Sequence, residues 1–430
     1  MKYYIESLGC AKNTVDSERF AAILDSYHIK ETHEITEADI VLVNSCAFLL
    51  KALGELDDAL CEIMDIMEGK EYKLIVTGCV TKRALKTFKE FFPEVNKWVM
   101  LKDFEGFEQY LKRYVFPKNA VRKPVPIRHN LSDGQYVYLR IADGCDNHCS
   151  YCMIPSIRGP MRSVPIEELV KEANAMTHAG QELCLIAQDT SMYGMDIYGE
   201  KALPRLIEEL LKIEEYKWIR VLYMHPDHFE MSWLKLWKEN PKLLPYFEIP
   251  IQHVSPHIIH EMNRKKNYVV LKKMFEDIKK ELPNAVFRTT LMVGYPSETK
   301  EDLLLLDKFM QEVDILHTGV FSYSPEKEIV GYDDEGYRFD WASRQTLEIE
   351  YAKKVFALKE KKVEKLIGKT FDAIVEGYDH DHGWLYGRLW FQAPEVDGIL
   401  IFEGKPKSEN TQVKVEIVHA LPDYFVGRFI

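Results

Sequence analysis

The chain has 430 residues, 46% of them hydrophobic and 29% charged, with a net charge of −12. That composition excludes a fibrous, low-complexity or disordered chain, and the length accommodates roughly two to four domains. The acidic balance disfavours bulk attraction to nucleic-acid phosphates and suits a basic protein partner better. The start MKYYIESLGC lacks a basic segment followed by an apolar one, and no apolar run reaches the roughly 18 residues of a membrane span. A cytoplasmic protein with no membrane partner is therefore expected, and in that reducing compartment clustered cysteines read as ligands or catalysts rather than disulfides.

Residues 1–125 alternate apolar strands with amphipathic helices: YYIES, SERFAAILDSY, ADIVLVNS, ELDDALCEIMDIM, YKLIVTG and ALKTFKEFF. This pattern predicts βαβ crossovers and a parallel sheet. Cys10, Cys46 and Cys79 each follow a strand, so the carboxyl edge of one sheet brings together three thiols remote in sequence. On the residues alone, a metal site and three buried small side chains are both open readings. Cys61, in the stripe of ELDDALCEIMDIM, and Cys184, in LCLIA, fit no ligand pattern and are expected in the core.

After the linker FPKNAVRKPVPIRHNLSDG, residues 131–362 resume the alternation with six strands: YVYLRIA, LCLIA, IRVLYM, YFEIPI, VFRTTLMV and TGVFSYS. Six suit a partial (β/α)6 barrel. The segments after them, DGCDNHC, QDTSMYG, HPDH, QHVS and GYPSET, should share its carboxyl-end mouth. Residues 366–430 then read as a small antiparallel β-barrel with strands TFDAIVEGY, WLYGRLW, GILIFEG and QVKVEIVHA. They carry six Lys and Arg against ten Asp and Glu, a balance of −4. The fold class expected is a multidomain α/β chain.

The segment ADGCDNHCSYCMIP places Cys145, Cys149 and Cys152 within eight residues. A structural zinc wants four protein ligands, whereas three thiolates on an iron-sulfur cluster leave one iron open. His148 would have to bend back from between Asn147 and Cys149 to complete a zinc site, so the open iron is the preferred reading. The spacing C-x-x-x-C-x-x-C with Tyr151 before the third cysteine resembles the radical S-adenosylmethionine (SAM) signature. The resemblance implies a 4Fe-4S cluster on these cysteines, SAM chelated at the open iron, an aromatic side chain by the adenine, and cleavage of SAM to a 5′-deoxyadenosyl radical.

Around that segment, LGCAKN, NSCAF and TGC, then AQDTSMYG, HPDH, PIQH and VGYPSET, and finally APEVDG, resemble the methylthiotransferase family along essentially the whole chain. The resemblance implies a methylthiotransferase domain, a radical SAM domain and a C-terminal TRAM domain. It also implies a second 4Fe-4S cluster on Cys10, Cys46 and Cys79 that carries the sulfur. LGCAKNTVDSE, the CAF after Cys46, AQDTSMYG and APEVDG resemble the branch acting on an aspartate of the small-subunit ribosomal protein of the decoding centre, rather than the tRNA branch. In the mechanism so implied, one SAM methylates a sulfur on the Cys10/Cys46/Cys79 cluster. A second gives the radical that takes a hydrogen from the aspartate β-carbon, which then accepts the methylthio group.

The acidic C-terminal barrel is consistent with a basic protein partner and against a direct tRNA substrate. An external electron donor is implied as well. Two rivals stand beside this reading: a tRNA methylthiotransferase with the same clusters, and a non-catalytic, metal-stabilised RNA-binding module.

For the SAM pocket the expected residues are Tyr151 and Ile154 by the adenine, Gln188 and Asp189 by the methionine or ribose, and Arg162 for the methionine carboxylate. A guanidinium binds carboxylate bidentately, though a surface ion pair is the other reading of Arg162. His225 and His253 stand at the barrel mouth, either touching cofactor or substrate or supporting other side chains. No general acid or base is expected to carry the main step, because the β-carbon hydrogen is too weakly acidic. Three positions depart from the family pattern: Ala11 for proline, Ser297 for glycine, where a positive φ would cost strain, and Val254 for a small residue.

Overall fold

The computed structural model describes residues 1–117, 120–132, 134–326, 340–404 and 411–430; part of the predicted linker lies outside these. The first unit is a five-stranded, all-parallel sheet in the order β2-β1-β3-β4-β5, with β1 Lys2–Ser7, β2 Lys30–Glu31, β3 Ile40–Ser45, β4 Lys73–Gly78 and β5 Lys97–Trp98. Strand β3 reads IVLVNS and is buried throughout, as a central strand covered on both faces must be. The helices α1 (Ala11–Ser26) and α2 (Leu50–Ile66) pack in two separate apolar clusters, each shared with sheet residues. On α2 the buried stripe is Leu56, Leu60 and Ile63. Cys61 lies about 100° round the helix from Leu60 and is exposed, so its expected core position is corrected, whereas Cys184 is fully buried.

The second unit begins with β6 (Tyr136–Arg140), followed by a short ribbon, β7 (Ala142–Asp143) and β8 (Arg162–Ser163). The remaining strands are β9 (Glu182–Ile186), β10 (Trp218–Val221), β11 (Tyr246–Glu248), β12 (Val286–Val293) and β13 (His317–Ser322). The sheets β6-β9-β10 and β11-β12-β13 are parallel, and a parallel bridge from Ile219 to Leu243 lies between them, giving the predicted six-stranded partial barrel. Alternate residues face opposite ways. Val137, Leu139, Leu183, Leu185, Ile219 and Val221 join the large core with the outer helices, whereas Tyr138, Cys184, Ile186, Leu222 and Tyr246 gather in another cluster with Ala11 and Val15 of α1.

The C-terminal unit is a closed five-stranded barrel, β14-β15-β16-β18-β17, made of β14 (Thr370–Asp379), β15 (Trp384–Leu389), β16 (Ile399–Glu403), β17 (Gln412–Leu421) and β18 (Tyr424–Phe429). One feature departs from the antiparallel expectation: β16 and β18 pair in parallel and close the barrel.

The segment APEVDG docks this barrel against the amino ends of the larger one. Buried Asp397 accepts a 2.6 Å hydrogen bond from Tyr246 and one from the Ala393 N–H at 2.8 Å, and it pairs with Arg288 and with His317. Tyr136 donates to Glu395 at 2.7 Å, and buried Glu182 pairs with Arg220 at 2.5 Å and Arg388 at 2.7 Å. Tyr136, Glu182, Tyr246 and His317 are first residues of their strands. That end of the barrel is therefore occupied, leaving the opposite end for chemistry.

Asp397→Ala leaves Arg288 buried without this partner and should cost about 3–5 kcal/mol, read as a fall in the urea midpoint by tryptophan fluorescence. Burial holds His317 neutral down to about 4, whereas an unfolded histidine titrates near 6.5. Acidification between those values thus loads a proton on the unfolded chain only, so stability should fall across that window, and less steeply in His317→Gln.

Candidate functional site

Three cysteine loops stand at the carboxyl ends of neighbouring strands. Cys10 follows β1 and caps α1, Cys46 follows β3 and Cys79 follows β4, on three adjacent strands. Glycines make this approach feasible. At Gly9, φ is +104° and a Cβ would stand 2.7 Å from the Cys46 Cβ; at Gly78, φ is +98° and a Cβ would stand 2.3 Å from the Ser45 carbonyl oxygen. Asn13 fastens the loops by donating to the carbonyls of Leu8 and Ser45 at 2.9 and 3.0 Å. Ala11, at the departure from proline, opens α1 as a buried residue of the barrel-interior cluster, where alanine keeps a good helix start.

Cys145, Cys149 and Cys152 stand at the mouth of the second unit, after β6 and β7. Tyr151 is buried against Ile258, Met262, Tyr295 and Tyr323, with the Arg264 guanidinium 5.8 Å from its ring centroid. Arg264 also lies close enough to Cys149 for the two charges to interact. Ile154 opens the helix Ile154–Arg158 and is partly buried. His148 is exposed rather than turned inward with the cysteines.

Thiol acidity reflects these surroundings. Burial pushes Cys145 up to about 11 and Cys152 and Cys79 up to about 12. At Cys10 burial acts the same way, but the charges of Lys12 and Arg158 outweigh it and leave the thiol below its ordinary value. Loading metal on these sulfurs therefore displaces protons.

Among the described residues, Asp189, His225 and His228 are the group whose ligand atoms all lie within 4.8 Å of one another; neither cysteine triad is drawn in that tightly. A zinc with sulfurs at about 2.3 Å would need thiols about 3.8 Å apart. The wider triads suit a cube that engages each cysteine through a different iron. The three-residue cluster itself is accounted for by a 2.7 Å contact of His228 with Asp189 and by stacking of the two histidine rings at 4.7 Å.

The two triads are joined through buried charges. Arg158, from the helix after Cys152, lies close enough to Cys79 for its charge to act on the thiol, donates to Asn13 at 2.6 Å and pairs with Asp143 at 3.1 Å and Asp16 at 3.6 Å. Asp143 also accepts from the Gly144 N–H and from Gln188, each at 3.0 Å, and pairs with Lys102. Burial raises its pKa, but Arg158, Arg140 and Lys102 more than reverse that and hold the carboxylate well below the usual range. Arg140 adds a 2.6 Å bond to Asp16. A second link runs from Arg83 and the Leu50 N–H to Glu326, just after β13.

Of the expected pocket residues, Asp189 is buried and accepts 2.7 Å bonds from Asn147 and from the His228 ring. With Cys145, Asn147, Met192 and His228 it lines a cavity of about 310 Å³. His225, held neutral down to about 3 by burial and by Arg264, has its Nε2 enclosed without a hydrogen bond.

Arg162 and His253 are not among the residues that line this cavity. Arg162 is exposed on β8, because strand alternation turns its neighbour Met161 inward and Arg162 out. His253 is fully buried, with Nδ1 accepting from the Ser255 N–H at 3.0 Å and Nε2 3.3 Å from Glu298 in the loop VGYPSET. Ser297 does not take a positive φ, which falls on Gly294, and its hydroxyl bonds Glu261; Val254 is buried in the main core. Neither departure carries strain. Sequence reasoning missed Arg158, Asp143, Arg264 and Lys12. Asp143 and Arg158 flank the cysteine segment, Arg264 precedes the first helix after it in the barrel's fourth loop, and Lys12 stands in GCAKN beside a cysteine.

Family models match three stretches: the Radical SAM superfamily over residues 139–310, Uncharacterized protein family UPF0004 over 2–100, and a TRAM domain over 367–430. A solved structure of the radical SAM methyltransferase TsrM from Kitasatospora setae, with cobalamin and a [4Fe-4S] cluster, shares the fold with a TM-score of 0.53 over 75% of this chain and 76% of that one, at 12% identity. The chain is a radical SAM enzyme, with SAM and 4Fe-4S clusters as its cofactors.

Curated relatives refine the class. Proteins named ribosomal protein uS12 methylthiotransferase RimO are 37% identical in Natranaerobius thermophilus, over 99% of this chain and 98% of that one, and 36% identical in Aquifex aeolicus, over 99% and 96%. The Thermotoga maritima protein of that name is 34% identical over 95% of each chain. The chain belongs to the RimO family of methylthiotransferases.

Replacing Arg158 by methionine removes the cation that Asp16, Asp143 and Cys79 share. We expect a loss of at least about 3 kcal/mol in denaturant unfolding of the metal-free chain, with lysine restoring part of it. Limited proteolysis should then cut between the first two units faster than in the parent.

Proposed function

We propose that this chain transfers a methylthio group to the β-carbon of an aspartate in ribosomal protein uS12, in the cytoplasm, with electrons from an external donor. The linkage of the two cysteine triads through Arg158 and Asp143 carries this reading, since one target carbon has to be within reach of both. Cys145, Cys149 and Cys152 hold the cluster at which SAM binds, and Cys10, Cys46 and Cys79 hold the second. When bound, these groups supply the radical and the sulfur that side chains cannot.

The protein's own residues position and exclude. Tyr151 and Ile154 form the adenine side, with Tyr151 fixed by its aromatic neighbours and Arg264. Gln188, oriented by Asp143, and Asp189, oriented by Asn147 and His228, face the methionine or ribose, with His225 beside them. Burial around both triads keeps water from reactive species, the protein's main service to radical chemistry. The C-terminal barrel, with its balance of −4, supports a basic protein partner over a tRNA backbone.

Mass spectrometry of uS12 and of tRNA from a strain lacking the gene tests the substrate. We expect the aspartate to lose its methylthio mass while tRNA is unchanged; the reverse pattern contradicts the proposal. In the reconstituted protein, Cys149→Ala should abolish SAM cleavage and keep about four irons, and Cys46→Ala should keep SAM cleavage on the remaining cluster while ending methylthio transfer.

A further inference from the structure

Lys12 stands where the two halves of the site meet. It is buried on the first turn of α1, two residues after Cys10, and its Nζ lies 3.1 Å from the centroid of the Tyr223 ring at the barrel mouth. Its backbone carbonyl is held by Arg140 at 3.3 Å. Tyr223 is in turn fixed in an uncommon conformation, φ 58°, by its N–H to Glu248 at 3.0 Å and by its carbonyl accepting from the Thr190 N–H at 3.1 Å. Backbone strain of this kind persists where the surroundings impose it and clusters at working sites.

Burial disfavours the charged form of Lys12 and lowers its pKa. Glu248, Asp143 and Cys10 are near enough to act on it through their charges, yet among the described residues no carboxylate comes within ion-pair distance and no hydrogen bond uses its three donors. A buried cation with only a ring face beneath it is costly until an anion arrives. Its place, two residues after Cys10 and over the Tyr223 ring, puts it where the first triad meets the barrel mouth.

We propose that Lys12 binds the carboxylate of the substrate aspartate and so selects an acidic side chain over a neutral one. This rests on the reading of uS12 aspartate as substrate. An ammonium on the carboxylate fixes the adjacent β-carbon between the two triads. A purine substrate would bring no anion to that point.

The test uses the reconstituted full-length enzyme with SAM and two synthetic peptides of the uS12 loop, one carrying the aspartate and one asparagine in its place. Binding of both is measured for the parent, Lys12→Gln and Lys12→Arg, with iron content measured alongside. The parent should prefer the aspartate peptide by about 10- to 100-fold, the worth of one hydrogen bond to a charged group. Lys12→Gln should bind both peptides alike, and Lys12→Arg should recover part of the preference. Equal binding by the parent overturns the assignment, whatever the variants do. So does a Lys12→Gln protein that keeps the preference, including one that loses iron while keeping it, which would make Lys12 a partner of the cluster alone. A parent that leaves uS12 unmodified but methylthiolates tRNA overturns the substrate reading itself, a result distinct from these.

Discussion

The buried charges between the first sheet and the barrel are the constraint on which the site depends. Arg158 and Arg140 come from the barrel unit, Asp16, Asn13 and Lys102 from the sheet unit, and Asp143 from the turn that leads into Cys145. Each cation removed would leave buried carboxylates short of a partner, so the two units have one relative placement at which the network closes. At that placement Met153 and Ile157, which follow Cys152, pack in one apolar cluster with Cys79 of the sheet unit. The same guanidinium that sets the placement acts through its charge on Cys79 and Cys10, which couples domain docking to the first triad.

The far end of the barrel is organised by a similar device. Asp397 gathers Arg288, His317 and the Tyr246 hydroxyl from the larger barrel, and Glu182 gathers Arg220 and, from the small C-terminal barrel, Arg388. The segment APEVDG thus works as an anchor, with buried Asp397 and Ala393 inside and Glu395 reaching Tyr136. Contact of the small barrel with a ribosomal protein would have to use its outer face, which leaves the acidic balance, rather than this segment, as the basis for steering.

Much of this was legible in the sequence because it rests on local rules. Periodicity located the parallel strands, and cysteines directly after strands had to share an edge. The spacing of the second triad favoured an open iron over a closed four-ligand site. What was hidden depends on contacts between distant segments. Arg158 and Arg162 are four residues apart and chemically identical, and only strand alternation beyond Met161 turns one outward while the helix before it buries the other. Lys12 reads as an ordinary helix-face lysine until Tyr223, over 200 residues away, is brought beneath it. His253 resembled a mouth residue because it follows a strand, but the turn of VGYPSET brings Glu298 over its ring. Cys61 missed the core by one step around α2.

The central claim is that two separate iron-sulfur centres face one cavity at the junction of sheet and barrel. Pulsed electron paramagnetic resonance on the reconstituted, reduced enzyme tests it most directly. The account predicts a dipolar interaction between two paramagnetic clusters that disappears when either triad loses a cysteine. Two signals that simply add, with no coupling in the intact protein, would contradict it.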